Sequence, residues 1–335
     1  MTKWCYDNVS SLGDDYLALL GFLASFGILK VPTVCPLCGS AVAVKTHRGR
    51  EKLRCVNSGC AKWVSATAGT VLETFSIPLK KWLQIVFLWA VRSSFSSVVA
   101  VSGCGKQTVA KVFLLLRECA KKCCDGYGCI LGGPGSVVEV DETECGRKRK
   151  GLHGHATSVK MDVWGAVDRS AKLVVFRDFR KWHSVQDRRR NGPSSAAEVL
   201  PFVSQYISKG ATVFSDGLKA YRSNLEDMGY KHDFVKHGDG QFVKKRSVRI
   251  TRSVSTLGKV HTNTIDGYWG SFKNAMRGLK SLRREHQPLF LAVFMWRHNA
   301  TVLNPSRCLF EQILGLLGLY SEDKTLIDAL NSLSC

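Results

Sequence analysis

Acid is scarce in this chain: 27 Asp and Glu stand against 48 Lys and Arg in 335 residues, a formal charge of +21. The deficit is spread over both halves instead of gathered in a tail. It excludes an ordinary balanced surface and points to a polyanionic partner bound with release of counterions. Long apolar runs are missing too. The richest stretches, around Leu17–Leu29 and Trp82–Val91, are too short and interrupted to span a bilayer, so no membrane role is expected. The N-terminal residues lack the basic flank, apolar core and small-residue cleavage site of a secretory signal. Without one, the 13 cysteines read as an intracellular metal site plus buried thiols, not as a disulfide framework. No internal repeat is present.

What is there falls into five segments. Residues 1–32 form a helical lead-in with a broad apolar face of Leu17, Leu19, Leu20, Phe22, Leu23, Phe26 and Leu29. In residues 33–68, Cys35-Pro-Leu-Cys38 and Cys55–Cys60 flank a short basic hairpin. Two cysteine knuckles around a hairpin match a four-thiolate structural zinc site, a zinc ribbon in which Zn²⁺ leaves no open position for catalysis. Residues 77–125 are helical. Ser96–Ser102, a turn at Gly103 and Gly105, and a second helix from Lys106 read as a helix-turn-helix, with Lys106, Gln107, Thr108 and Lys111 facing DNA. Gly132-Gly133-Pro134-Gly135 marks a boundary before the largest segment, residues 136–305. Residues 306–335 form a C-terminal helical tail.

Within 136–305 the pattern predicts strands at 137–142, 160–168, 173–179, 212–216 and 231–235, and helices at about 195–208, 217–226, 264–282 and 287–303. Three consecutive strands, a helix and a fourth strand ending in Asp is a ribonuclease-H-like order, an α/β fold with a mixed sheet and flanking helices. Asp141 and Asp216 end apolar strands, and Asp266 lies in the first turn of an amphipathic helix. Phosphodiester chemistry is served by two divalent ions held by a few hard oxygen ligands, and these three carboxylates provide them for Mg²⁺ or Mn²⁺. Each acid alone also has an ordinary reading: a solvated strand end, a turn or cap residue, a charge suited to a helix dipole. Two basic segments, Gly146–Lys160 with Arg147, Lys148, Arg149 and Lys150, and Lys231–Lys259, would contact a polyanion around the acids. Lys273 and Arg277 share the Asp266 face of the late helix.

Three blocks carry a resemblance. Val138-Glu139-Val140-Asp141-Glu142-Thr143, Ser215-Asp216-Gly217-Leu218-Lys219-Ala220-Tyr221 and His261-Thr262-Asn263-Thr264-Ile265-Asp266-Gly267-Tyr268-Trp269 resemble the Merlin-type transposases and their bacterial insertion-sequence relatives. With the cysteine ribbon and helical module, the resemblance covers roughly residues 33–303. It implies a cut-and-paste enzyme that binds terminal inverted repeats in double-stranded DNA, hydrolyses the strand ends and joins 3′-hydroxyls to target DNA. It further implies a homo-oligomer on DNA, working wherever the genome is. Asp141, Asp216 and Asp266 take the places of that family's metal-binding acids. The third is usually Glu; Asp266 is one methylene shorter, which sets its oxygens about 1–1.5 Å back. A DNA-binding descendant without catalysis and another ribonuclease-H-like nuclease are the alternatives.

Overall fold

Helix α1 (Tyr6–Leu12) stops at Gly13, and α2 (Tyr16–Ser25) begins under an Asp15 cap that accepts from the backbone N–H groups of Leu17 and Ala18. The computed structural model describes residues 4–145, 160–182, 194–236, 243–245, 259–277 and 286–332. They form two units, Met1–Cys123 with Pro305–Cys335, and Cys124–Asn304.

In the first unit, β1 (Val42–His47), β2 (Arg50–Cys55) and β3 (Trp63–Val64) form an antiparallel sheet in the order β1-β2-β3. Arg48 and Gly49, both with positive φ, make the two-residue turn whose twist matches the strands it joins. Helix α3 (Leu79–Ala90) is buried from Trp82 to Ala90. Helix α4 (Phe95–Ser102) starts at a Ser94 cap and ends at left-handed Gly103, after which α5 (Lys106–Asp125) begins. The helical tail, Leu309–Leu319 and Lys324–Asn331, belongs to this unit. Asp323 pairs with Lys122 at 2.8 Å, Val71 donates to the Ser321 carbonyl, and Phe310 packs edge-on against Phe87. Among the described residues no helix is long and apolar enough to cross a membrane.

The second unit is a mixed α/β layer structure. In chain order it contains β4 (Leu131–Gly132), β5 (Val137–Cys145), β6 (Lys160–Asp168), β7 (Val174–Trp182), α6 (Ala196–Tyr206), β8 (Ile207–Ser208), β9 (Thr212–Ser215), α7 (Lys219–Arg222), β10 (Lys231–Phe234), β11 (Lys244–Lys245), β12 (Lys259–Val260), α8 (Asn263–Arg277) and α9 (Gln287–Leu303). Five strands make one sheet in the order β10-β9-β5-β6-β7. Strands β10, β9 and β5 run parallel, while β5, β6 and β7 pair antiparallel. Strand β5 continues past the expected residue 142 to Cys145 because β6 pairs with it throughout, from Val138↔Asp168 to Cys145↔Met161. Helix α6 ends at Tyr206, short of the expected 208, because Ile207 and Ser208 pair with β4. The helix expected at 217–226 is reduced to Lys219–Arg222 and gives way to turns.

Alternation along β5 divides the two sheet faces. Trp164, opposite Glu142, stacks on Phe202 of α6. Gly165, opposite Asp141, lies instead beneath Trp269 of α8. Helix α9 covers that same face, where Asn299 exchanges hydrogen bonds with the backbone of Val174 at 2.8 and 3.0 Å. Helices therefore cover both sides of the sheet, as an apolar sheet requires.

Candidate active site

The strand register brings the first two acids together. Parallel pairing sets Val137 beside Thr212, Val138 beside Val213 and Glu139 beside Phe214. Carried on by two residues, it sets Asp141 beside Asp216, just where β9 has ended. Beyond Ser215 the chain turns through Gly217, whose φ of +85° suits glycine and whose added Cβ would meet Phe234 and the Val235 carbonyl. Asp216 Oδ1 accepts from the Leu218 N–H at 3.1 Å, so this acid holds its own turn while its other oxygen remains for a ligand.

The third acid is placed by a residue that reads in the sequence as part of an apolar strand. Glu139 is fully buried. Its carboxylate accepts from the Thr264 N–H at 2.9 Å, the Ile265 N–H at 3.0 Å and the Thr264 hydroxyl at 2.7 Å, which caps the N-terminus of α8. Arg169 pairs with it at 2.5 Å, stacks over Phe214, and donates to the Lys259 and His261 carbonyls. His261 Nδ1 sits 2.9 Å from Arg169 Nη2, and burial together with that guanidinium pushes its pKa down. His261 thus belongs to the segment that Arg169 holds ahead of α8, while Asn263 is exposed. Near the middle of α8, Trp269 Nε1 donates to Asp141 Oδ2 at 3.0 Å. Asp266 precedes Trp269 by three residues and so lies on the same helix face, exposed to solvent.

The acids act on one another through their charges. Burial raises the Asp141 carboxyl to about 7, the charges of Asp216 and Asp266 add to the rise, and the Trp269 bond opposes it. Glu142, on the opposite sheet face, is pushed up to about 8, first by burial and then by Asp141, Asp216 and Asp162; a hydrogen bond from the Tyr221 hydroxyl works against this. Trp164 Nε1 donates in turn to Tyr221 at 3.1 Å. A cation beside carboxyls raised in this way would favour their ionised form. The three aspartates are not drawn as tight as a closed metal cage: among the described residues, only the four cysteines form a group of three or more such ligands all within 4.8 Å.

Those cysteines are Cys35, Cys38, Cys55 and Cys60, with Cys35 and Cys60 sulfurs 3.7 Å apart and Cys38 and Cys55 sulfurs 3.4 Å apart. Four sulfurs about 2.3 Å from a tetrahedral zinc are roughly 3.7 Å apart, so the set fits the metal. Hydrogen bonds from Ser40 help lower the Cys38 thiol to about 6, whereas burial raises Cys55 to about 12.

The expected DNA-facing residues divide. Lys106 and Gln107 are exposed at the start of α5 and Thr108 is half-buried beside them. Lys111 departs from the expectation: its ammonium donates to the Thr74 carbonyl at 2.9 Å and lies over the Phe75 ring, and burial lowers its pKa. Lys273 sits close enough to Cys145 for its charge to act on that thiol, at the far end of β5. Arg277 closes α8. Arg147, Lys148 and Arg149 lie outside the described residues, as does most of both basic segments.

Glu139, Arg169, Gly165 and Tyr221 are the parts of the site that residue patterns did not announce. The signal that could have found the first is a glutamate set among valines.

Residues 130–299 match the family model described as the ISXO2-like transposase domain. A protein of Halobacterium salinarum, described as an uncharacterized protein in transposable element ISH50, is 22% identical over 275 residues, covering 78% of this chain and 84% of that protein.

Proposed function

The chain belongs to the ISXO2-like transposase family, and from that premise we propose that it moves DNA by cut-and-paste transposition. In this reading the second unit is a ribonuclease-H-like nuclease; the sheet order, with three antiparallel strands followed by two parallel ones, supports it. Asp141, Asp216 and Asp266 hold two Mg²⁺ or Mn²⁺ ions. When bound, such ions activate a water or 3′-hydroxyl and stabilise the leaving oxygen at a DNA strand. The observation that carries the reading is geometric: parallel register leads Asp141 toward Asp216, and the Trp269 bond ties Asp141 to the helix that bears Asp266.

The chain's own residues do the positioning. Trp269 fixes the rotamer of Asp141 and leaves its second oxygen for a cation. Glu139 locks α8 against β5, and with it Asp266. Asp216 is oriented by its own turn. Tyr221 donates to Glu142 on the far side of β5 and keeps that carboxyl in place. Lys106, Gln107 and Thr108 at the start of α5 meet duplex DNA, joined by Lys273, Arg277 and the basic residues Arg147, Lys148 and Arg149. The four cysteines hold a structural Zn²⁺. The protein works as a homo-oligomer on terminal inverted repeats, wherever the host keeps its genome.

Replacing Asp141 or Asp216 with Asn tests this directly. Mg²⁺-dependent cleavage of DNA carrying the element's ends should fall by at least about a thousandfold, while binding of that DNA persists. Cutting at the wild-type rate by either variant would refute the assignment.

A second reading, a family member that binds DNA but no longer cuts it, draws support from the exposed and shortened Asp266. Asp266→Glu separates the two. Under the first reading wild type already cleaves, and the longer acid alters its rate. Under the second, only the glutamate variant cleaves.

A further inference from the structure

We propose that one face of the β1-β2-β3 sheet grips the phosphate backbone of duplex DNA, so that the cysteine-bearing segment does more than hold zinc. This rests on the reading that DNA is the partner. The argument starts from register. Ala43 pairs with Arg54, Lys45 with Lys52 and His47 with Arg50, while Arg54 also pairs with Trp63. Directly paired residues in an antiparallel sheet share a face. Lys45, His47, Lys52, Arg54 and Trp63 therefore lie on one side. Val42, Val44, Leu53, Cys55 and Val64 lie on the other, with Leu53 and Cys55 buried.

The only acid between Val42 and Cys55 is Glu51, and its register partner Thr46 places it on the apolar side. A sheet face that needs only solubility mixes both signs of charge. This one carries a single sign. Lys45 and Lys52 are exposed, and neither makes an ion pair or side-chain hydrogen bond with any described residue. Among the described residues, nothing neutralises their charge.

The aromatic residue on that face decides between nucleic acid forms. A platform for unpaired bases offers an open ring. Here the Trp63 ring is taken: the Arg54 guanidinium lies over it at 5.2 Å and the His47 ring centroid is 4.9 Å away. Arg54 is also held by its donation to the Ala61 carbonyl at 3.1 Å. The indole stiffens its basic neighbours instead of receiving a base. A two-stranded β-ribbon also fits the major groove of B-DNA, with same-face side chains repeating about every 7 Å along each strand. Phosphates of a duplex are the ligand that suits fixed cations with no open aromatic surface.

The test compares zinc-loaded wild type with the double variant Lys45→Ala/Lys52→Ala, measuring affinity for a short duplex of arbitrary sequence across a salt series. A control variant, Lys30→Ala/Lys324→Ala, removes the same charge from elsewhere in the unit. Each lost phosphate contact lowers the slope of log affinity against log salt by about 0.9. The face variant should lose about 2 in slope and weaken arbitrary and terminal-repeat duplexes alike, with zinc content and melting temperature unchanged and the control slope near wild type. A face variant that keeps the wild-type slope, or a control that falls equally, overturns this inference and leaves the proposed function standing. A wild type that binds no duplex overturns both.

Discussion

Trp269 Nε1 lies 3.0 Å from Asp141 Oδ2, so a helix side chain in the middle of α8 fixes the rotamer of an acid on β5. The contact exists because Gly165, the register partner of Asp141, leaves space above the sheet for the indole. A Cβ at position 165 would fall 2.5 Å from Trp269 Cζ2 and 2.9 Å from Phe176 Cδ1, with the indole tip closer still.

Gly165→Ala should therefore displace the indole and release Asp141. Overpacking of this kind costs about 1–3 kcal/mol in thermal or denaturant melts. Cleavage should fall further than that stability loss explains, with a shift in tryptophan fluorescence. Trp269→Phe keeps the packing and loses the bond. It should reproduce the cleavage defect with a smaller change in stability.

Glu139→Ala removes one member of a buried pair and leaves Arg169 without its partner. A loss of about 3–5 kcal/mol is expected in denaturant melts. Glu139→Gln keeps the shape and an oxygen for the Thr264 and Ile265 N–H groups, but turns a carboxamide donor toward Arg169 and the Thr264 hydroxyl, which loosens the cap. It should fray the start of α8, visible as faster hydrogen exchange at Thr264–Asp266. An unchanged exchange rate there would mean that Glu139 is not what seats the helix.

The carboxyl pKa values of about 7 for Asp141 and about 8 for Glu142 carry a sign for stability. Both lie above the values these groups have in an unfolded chain. Their contribution is fully present below about pH 4 and is lost as pH rises through 7 to 8. Metal-free protein should lose melting temperature on this account between pH 5 and pH 8 (roughly the window set by those shifts). Asp141→Asn should flatten that slope and stabilise the metal-free protein by at least about 1 kcal/mol at the alkaline end. Added Mg²⁺ should stabilise wild type most where the acids are ionised. A melting temperature indifferent to pH over this range, with and without Mg²⁺, would show that the acids do not share a desolvated site.

The placement of Asp141 on one strand and of Asp216 just past another was legible because each follows a short run of apolar residues, a pattern that depends on neighbours in the chain. The strands came through for the same reason, and β5 outran its expected end only because β6 supplied partners. Glu139 was not legible as a cap. Its partners Thr264 and Ile265 lie 125 and 126 residues away, and local patterning carries no trace of such contacts. Lys111 shows the converse: helical spacing placed it with Lys106 and Gln107, but a carbonyl from Thr74 draws it inward. The tail contains the helices Leu309–Leu319 and Lys324–Asn331. Its attachment to the first unit through Asp323 and Lys122 is again a distant pairing that spacing cannot express.

The central claim concerns where metal binds. Crystals of the protein with its end DNA, soaked in Mn²⁺ and measured for anomalous scattering, locate the ions without reference to activity. Peaks between Asp141 and Asp216, with Asp266 drawn toward them, are expected. Mn²⁺ bound elsewhere while all three aspartates stay unliganded would contradict the proposed active site.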